Sequence, residues 1–327
     1  MKKMLFVSSY KSPSVLRDQA LMEEIFDCQA LYFADSRRSL AYIYQTIRQL
    51  WRACRKADYC FVRFADFRAF LVVLFAKILH KPSAVAIGGY EVVALPEIDY
   101  GGLLSWHSRK QLKFILQQAD LIITNSRFSC SEVQKLAPQR EVFVIPHGIA
   151  EIEKFAQKKP LIVTIGKATA KIYRLKGLHT FAAATAELSA DAMIIGDFDQ
   201  PTKDRLLSLN PKLIFPGFLP QSEISKILSS AQVYCQFSRR ESFGVALLEA
   251  MAAGCIPVVE ASTALPEVVG TCGYQMQYDQ VQSARVAIAK ALESTDYAAV
   301  QQRVKDNFLL TARAAKFRNL FEEKGWI

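Results

Sequence analysis

Two glutamates in the stretch 239–254 have a spacing that could bind a polyhydroxyl ligand. Glu241 lies just before a predicted helix and Glu249 lies eight residues further on, about two turns plus ~80° around the helix axis. One carboxylate can therefore meet a ligand at the helix tip while the other reaches its flank. A carboxylate accepts two hydrogen bonds at once, which suits the vicinal hydroxyls of a ribose or hexose. From the spacing alone, a capping Glu and a solvent-facing Glu remain an alternative.

The predicted start of that helix offers a second group of ligand contacts. Ser242, Phe243 and Gly244 fall where the apolar run 233–237 has ended and the helix begins. The first N–H groups of a helix have no partner within it and bind phosphate or sugar oxygens. A glycine there lets a ligand approach the backbone closely.

Short apolar runs alternate with longer amphipathic stretches along the chain, which predicts an α/β fold with parallel sheets and helices on both faces. Strands are predicted at 4–8, 59–63, 83–87, 121–124, 142–145, 161–165, 192–195, 213–215, 233–236 and 256–259. Helices are predicted at 15–26, 40–55, 69–80, 105–118, 129–136, 178–188, 203–209, 223–230 and 245–253, and the last ~50 residues are predicted to be helical throughout.

A polar segment between Pro146 and Pro160, including 151–154, interrupts this alternation and is interpreted as a hinge. It predicts two Rossmann-like domains, 1–150 and 151–327, that face each other across a cleft. The last helix can pack back on the first domain. Ligands of parallel sheets bind at the carboxyl ends of the strands, so the cleft is the expected site.

Composition excludes several classes of protein. The 327 residues are 51% hydrophobic and 22% charged, which is ordinary for a globular protein and excludes disorder. Seven cysteines, an odd number without a C-x-x-C pair, favour free thiols in a reducing compartment over a zinc site. With no signal peptide and no long apolar run, we expect a soluble or membrane-peripheral protein in the cytoplasm.

The chain is basic, with a net charge of +10, and this favours an anionic partner. Residues 1–150 hold 20 Lys and Arg against 13 Asp and Glu, so the first half is the more basic one. One amphipathic stretch there indicates either a solvated helix face or a peripheral contact with anionic lipid, possible at the inner face of a membrane. Its cations are Arg37, Arg38, Arg48, Arg52, Arg55 and Lys56, and its apolar residues include Tyr42, Tyr44, Leu50 and Trp51.

The glutamate pair belongs to a longer pattern. It continues into Gly254-Cys-Ile-Pro-Val-Val, and Glu241 and Glu249 resemble the Glu-x7-Glu motif of retaining glycosyltransferases of the GT-B fold, glycosyltransferase family 4. The resemblance is dense over 210–270 and looser elsewhere. It implies that Glu241 contacts the donor sugar and that Glu249 binds the ribose hydroxyls of the nucleotide. It also implies donor contacts from Ser242 and from the backbone N–H groups of Phe243, Gly244 and Val245.

A second match to that family concerns the donor diphosphate. Gly166-Lys167 follows a strand, and Lys176-Gly177 opens the next helix. The resemblance implies that Lys176 holds the diphosphate, with Lys167 or Arg174 as the second cation. Cations at a strand end neutralise the charge that develops on a pyrophosphate leaving group.

Further matches lie at the hinge and in the first domain. His147 stands where the family usually has Asn, and it is interpreted either as a cleft residue or as part of a turn. Gly88 and Gly89 resemble the family's loop between donor and acceptor, where a His is usual. Glu91 is a candidate for holding an acceptor hydroxyl. The turn 8–14 lacks the usual glycines.

The resemblance therefore implies an enzyme of glycan biosynthesis. It would transfer a sugar, of hexosyl type, from a UDP- or GDP-sugar to a glycan or lipid-linked hydroxyl, with retention and without a cofactor or metal. Asp197-Phe-Asp199 spells D-x-D but is interpreted as a turn. Alternatives are another GT-B enzyme such as a phosphorylase, an epimerase, or a catalytically weak sugar-nucleotide-binding subunit. A nucleic-acid binder rests on net charge alone, and no nicotinamide fingerprint is present.

Overall fold

A computed structural model describes residues 1–33, 39–150 and 155–327. Arg37 and Arg38 of the predicted basic surface, and residues 151–154 of the predicted hinge, lie outside these ranges. The chain divides into two compact units, Met1–His147 with Arg313–Ile327, and Gly148–Ala312. The boundary lies close to the predicted one between residues 150 and 151, and the C-terminal segment belongs to the first unit, a packing that the prediction included for the last helix. Among the described helices, none combines the length and apolar content that a membrane span requires.

The first unit is built on a parallel sheet of order β2-β1-β3-β4-β5-β6. Its strands are β1 Lys3–Ser8, β2 Asp27–Tyr32, β3 Tyr59–Arg63, β4 Ser83–Ala86, β5 Leu121–Thr124 and β6 Phe143–Val144. Its helices are α1 Pro13–Glu23, α2 Leu40–Lys56, α3 Phe67–Ile78, α4 Trp106–Gln118 and α5 Arg127–Leu136, with short 3₁₀ turns at Tyr90–Val92, Pro96–Ile98 and Gly102–Leu104.

The second unit has a parallel sheet of order β12-β11-β10-β7-β8-β9. Its strands are β7 Lys159–Ile165, β8 Asp191–Ile195, β9 Ile214–Gly217, β10 Ala231–Gln236, β11 Ile256–Glu260 and β12 Tyr274–Met276. Its helices are α6 Leu178–Thr185, α7 Gln200–Leu209, α8 Gln221–Ser230, α9 Val245–Ala252, α10 Leu265–Val269, α11 Val281–Glu293 and α12 Tyr297–Asn307, and α13 Leu310–Glu323 follows.

The predicted α/β class with two parallel sheets is confirmed, but two strands escaped the sequence prediction. β2 and β12 each lie at the edge of a sheet, where a strand has a neighbouring strand on one side only. β2 contains no fully buried residue, and β12 has only three residues, of which one is buried. The central strands β3, β4 and β5 are buried along their whole length and therefore show continuous apolar runs. The pattern that identifies central strands is thus absent from β2 and β12, whereas the other two edge strands, β6 and β9, were predicted.

Polar N-caps determine where several helices begin. Each cap side chain accepts a hydrogen bond from an amide in the first helical turn, which satisfies a donor that the helix itself cannot pair. The caps in the first unit are Ser12, Ser39, Asp66, Ser105 and Ser126.

Arg313 fixes the C-terminal segment to the first unit. Its guanidinium is 2% exposed and makes two bonds to Asp18, with Nε–Oδ1 at 2.8 Å and Nη2–Oδ2 at 3.0 Å. It also donates to the carbonyls of Ile145 and Pro146. The segment then packs Phe317, Phe321 and Trp326 against the rings of Phe61, Phe26 and Tyr59. A buried ion pair completed by main-chain acceptors satisfies the charges that burial would otherwise leave unpaired.

The same network shifts two pKa values. Burial would raise the pKa of Asp18, but Arg313 and Arg63 outweigh it and hold this pKa at about 2. Arg63 lies 3.2 Å from Asp18. Burial lowers the pKa of His147 well below 6.5, and Arg313, Arg63 and Arg17 lower it further while Asp18 opposes them. The folded state therefore contains an ionised Asp18 and a neutral His147.

Stability should fall on acidification in two steps. Both folded-state pKa values are depressed, so the unfolded chain binds protons first and stability rises with pH. The His147 contribution is complete above pH ~6.5 and is lost below it. The Asp18 contribution, about 2 kcal/mol, is complete above pH ~4 and is lost as pH falls toward 2. His147→Asn should flatten the loss between pH 6.5 and 5 in urea unfolding. Identical slopes for the variant and the wild type would contradict the assignment.

Candidate active site

Gly244 shapes the turn between β10 and α9. Its φ is +92°, and a Cβ there would lie 2.6 Å from Cδ2 of Leu265. The first bond of α9 runs from the Leu248 N–H to the Gly244 carbonyl, so the amides of Val245 and the next residues have no acceptor within the helix. Phe243 is 3% exposed and packs edge-to-face on Phe308, so its ring belongs to the core and any contact it makes with a ligand falls to its backbone.

Glu241 and Lys176, which are 65 positions apart, meet in the structure. The Nζ of Lys176 lies 3.0 Å from Oε2 of Glu241, and Nε2 of Gln236 donates to the same oxygen at 2.7 Å. Both charged side chains are partly covered, with 29% of Lys176 and 17% of Glu241 exposed. The two predicted catalytic groups thus form one ion pair that solvent screens incompletely.

Backbone contacts between two turns hold this pair. Gly177 has a φ of +64°, and a Cβ on it would lie 2.2 Å from the carbonyl oxygen of Phe237. The Arg239 N–H donates to the Leu175 carbonyl at 2.8 Å. The turn before α6 therefore lies directly on the backbone after β10. Gly166 lies close to the aliphatic part of the Lys176 side chain. A Cβ added to Gly166 would be 3.5 Å from Cγ of Lys176.

Glu249 lies in the second turn of α9, where Nε2 of Gln221 donates to its Oε2 at 3.3 Å. Both glutamates affect the pKa of the buried Tyr234 phenol on β10. Burial raises the pKa of Tyr234 well above 10, and Glu241 and Glu249 raise it further.

The other two predicted cations have different partners. Lys167 lies 3.6 Å from Asp197, and more than half of each side chain is exposed. Nε of Arg174 donates to the Tyr173 hydroxyl at 3.0 Å, and this bond raises the pKa of Arg174. Among these three predicted cations, Lys176 is thus the one that forms an ion pair with Glu241.

The D-x-D sequence forms a helix start. Asp199 caps α7, because Oδ1 accepts from the Thr202 N–H and Oδ2 from the Ala170 N–H, each at 2.8 Å. Within the described part of the chain, no three His, Cys, Asp or Glu side chains are grouped as metal ligands.

Glu91 organises the predicted acceptor loop. Its Oε1 accepts from the amides of Ala65 at 2.9 Å and Gly88 at 3.0 Å, and its Oε2 accepts from Gly89 at 2.8 Å. These bonds tie the turns after β3 and β4 together. The bond from Glu91 to an acceptor hydroxyl stays a prediction. His147 is 8% exposed and lies in the network of Asp18 described above.

Sequence reasoning missed Gln236, which orients Glu241. A signal was present, because Gln236 is a polar residue that directly follows the apolar run 233–235 at the carboxyl end of the strand. It is 5% exposed, so its amide must find partners within the protein.

Comparison with known proteins identifies the part of the chain that contains Lys176, Glu241 and Glu249. Residues 149–307 match the model of the family "Glycosyl transferases group 1". This part of the chain is a group 1 glycosyltransferase domain. A stretch of 198 residues is 28% identical to a phosphatidylinositol N-acetylglucosaminyltransferase subunit of Arabidopsis thaliana, covering 55% of this chain and 44% of that protein. The serotype-specific mannosyltransferase WbdA of Escherichia coli is 31% identical over 149 residues, covering 43% of this chain and 18% of WbdA.

The chain therefore spans less than half the length of these glycosyltransferase relatives. A solved structure matches over nearly the whole chain. Anabaena HepE, in complex with UDP and glucose, superposes with a TM-score of 0.77 at 16% identity, covering 99% of this chain and 100% of HepE. This likeness shows the GT-B fold, as the sequence predicted.

Gly177 of the glycosyltransferase domain should not tolerate a side chain. Gly177→Ala combines a disfavoured φ with a clash against a backbone carbonyl, and we expect it to cost about 3 kcal/mol of unfolding free energy. Gly217→Ala is the matched control, because Gly217 has a φ of +82° and open space around its Cβ position. We expect the control to cost about 1 kcal/mol. Equal losses in thermal unfolding would show that the contact with Phe237 is unimportant.

Proposed function

We propose that this protein is a glycosyltransferase. It transfers a sugar from a nucleotide-diphosphate sugar to a hydroxyl of a glycan or lipid-linked acceptor, with retention at the anomeric carbon and without a metal. The observation that carries this proposal is the Lys176–Glu241 pair beside the start of α9, with Glu249 in the same helix of a group 1 glycosyltransferase domain.

In the proposed reaction, Lys176 and the first amides of α9 bind the donor diphosphate. When the bond to the sugar breaks, negative charge develops on the leaving diphosphate, and these fixed donors stabilise it. The diphosphate competes with Glu241 for Lys176, so donor binding frees oxygens of Glu241 for sugar hydroxyls. Glu249 accepts the ribose hydroxyls. The incoming hydroxyl attacks on the face that the diphosphate leaves, and a phosphate oxygen takes its proton.

The positive charge for the leaving group comes from the protein itself in this scheme. Lys176 and the α9 amides supply it, and the carboxylate oxygens of Asp199 are already engaged by main-chain amides. UDP is the first nucleotide to test, because HepE has been solved with UDP and glucose. GDP is the second, as the sequence resemblance suggested.

Thermal unfolding with nucleotides tests the donor half of the proposal. UDP, GDP, CDP, dTDP and NAD are each added without metal and then with Mg²⁺. A diphosphate at about 100 times its Kd adds roughly 2.7 kcal/mol, a shift of about 5–10 °C. We expect one nucleoside diphosphate to give this shift without metal and Glu249→Ala to abolish it. Glu223→Ala, an exposed helical glutamate of the same unit, should keep the shift.

Three outcomes would contradict the proposal: no shift with any diphosphate, a shift with NAD alone, or an equal shift in Glu249→Ala. A shift that requires Mg²⁺ would contradict its metal independence. Donor turnover completes the test, since diphosphate binding without turnover would favour a catalytically weak sugar-nucleotide-binding subunit.

We also propose that α2 contacts an anionic membrane, at the cytoplasmic face in a cell. Its described exposed face carries four cations, Arg48, Arg52, Arg55 and Lys56, and it carries no acid. Leu40 and Tyr44, near the helix start, are 84% and 66% exposed. Cations beside exposed apolar groups are typical of interfacial helices. The name of the Arabidopsis relative, a phosphatidylinositol N-acetylglucosaminyltransferase subunit, supports a lipid-linked acceptor.

Vesicle co-sedimentation tests this surface. The variant Arg48→Gln/Arg52→Gln/Arg55→Gln should bind phosphatidylserine-containing vesicles at least tenfold more weakly at low salt, because each cation near the surface contributes about 1 kcal/mol. The control Lys212→Gln/Lys226→Gln/Lys290→Gln removes the same charge from lysines of the second unit that are not buried. Equal weakening in both triple variants, or no binding by the wild type, would refute the contact.

A further inference from the structure

Two aromatic side chains lie at the point of the first unit where its chain connections change direction. From β1 the chain passes to β2 on one side, whereas β3 leads to β4, β5 and β6 on the other. In open parallel sheets, ligands bind outside the carboxyl ends of the strands at this point, here between β1 and β3. Tyr10 lies two residues beyond β1, and Phe64 directly follows β3.

The two rings are stacked, with 4.6 Å between their centroids and 19° between their planes. The guanidinium of Arg63 lies 5.2 Å from the centroid of the Phe64 ring. Exposure rises from the buried Arg63, through the half-buried Phe64, to Tyr10, which is 48% exposed. The Tyr10 ring is thus supported by the Phe64 ring, while about half of Tyr10 stays accessible to solvent.

The backbone of Phe64 is strained to place its ring there. Its φ is +72°, a left-handed conformation that costs a bulky residue of order 1–3 kcal/mol. The other described non-glycine residues with positive φ are one His and two Asp, which tolerate this region better. The Phe64 N–H is held by the Ala86 carbonyl at 2.9 Å, and Glu91 holds the next amide.

Gly88 leaves the space that the Phe64 ring occupies. A Cβ at position 88 would lie 2.5 Å from Cδ1 of Phe64. The turns after β3 and β4 are therefore adapted to each other. Strain that neighbouring turns maintain at a ligand-binding position points to a function for the ring, because packing alone would be satisfied by a relaxed backbone.

Two carboxylates and one guanidinium act on the Tyr10 hydroxyl. Burial raises the pKa of Tyr10, Glu91 and Asp66 raise it further, and Arg63 opposes them. Glu91 and Asp66 also line a cavity of about 660 Å³ in the same unit, between the starts of α3 and α4 and the N-terminal half of α2. Arg68 also lines this cavity and pairs with Asp66 at 3.2 Å. The two carboxylates outnumber this one cation and disfavour a phosphate, so the environment suits a neutral sugar better than a nucleotide.

We propose that the exposed ring of Tyr10, supported by Phe64, is the platform on which a sugar ring of the acceptor stacks. The apolar C–H face of a pyranose packs on the aromatic face, and its hydroxyls point toward the adjoining cavity. This inference rests on the proposed glycosyltransferase function and names the acceptor class, a glycan or glycolipid that presents a pyranose to Tyr10.

Saturation-transfer NMR with methyl glycosides of glucose, galactose, mannose and N-acetylglucosamine tests the platform. We expect at least one glycoside to bind the wild type and Tyr10→Phe with similar Kd values, because both keep the ring. Tyr10→Ala should raise that Kd about tenfold. Leu136→Ala is the matched control, since Leu136 on α5 of the same unit is 44% exposed, close to the value for Tyr10, and this variant should bind as the wild type does.

The thermal shift with UDP or GDP is measured on the same four proteins to separate this inference from the proposed function. We expect an unchanged shift in every variant. A shift that is lost in Tyr10→Ala would make the ring a nucleotide contact and overturn the inference. It is equally overturned if no glycoside binds the wild type, or if Tyr10→Ala binds as tightly as the wild type. A wild type without any diphosphate shift would instead refute the glycosyltransferase proposal, whatever the glycosides do.

Discussion

The contact of the turn before α6 with the backbone after β10 determines where the candidate donor groups lie. β7 and β10 are neighbours in the second sheet, and their carboxyl ends open at the point where strand order reverses. Gly177 lets one turn approach the Phe237 carbonyl, and the Arg239–Leu175 hydrogen bond fixes the approach. Lys176 and Glu241 meet because their turns are held at this distance. The sequence around either residue alone does not predict this contact.

In the proposed reaction, the charges at this site change partners. Glu241 holds one bond from Lys176 and one from Gln236, both to the same carboxylate oxygen. A ligand with a diphosphate can therefore take the lysine while the glutamine still orients the carboxylate. Because the pair is partly covered, each charge interacts more strongly than it would in water, and an anionic ligand that replaces Glu241 gains from the same environment. The start of α9 adds a further set of fixed donors.

The first unit uses polar groups mainly to hold its loops. Glu91 binds three main-chain amides across the turns after β3 and β4, and Asp18 joins Arg63 to Arg313 of the C-terminal segment. This construction keeps Phe64 in a strained conformation and supports Tyr10 at the surface. A network that satisfies its own buried charges provides a rigid base, and the exposed aromatic ring is the part left to meet a ligand.

The sequence by itself determined the fold class, the central strands and the glutamate motif. Fully buried parallel strands must be apolar along their length. Glu241, Glu249 and Lys176 were found through their resemblance to a family motif. Only the tertiary structure decided the edge strands β2 and β12, the pairing of Arg313 with Asp18, and the stacking of Tyr10 on Phe64. The two edge strands lack the continuous apolar run of the central strands. The other two features join residues from separate parts of the chain, and local periodicity carries no signal for such contacts.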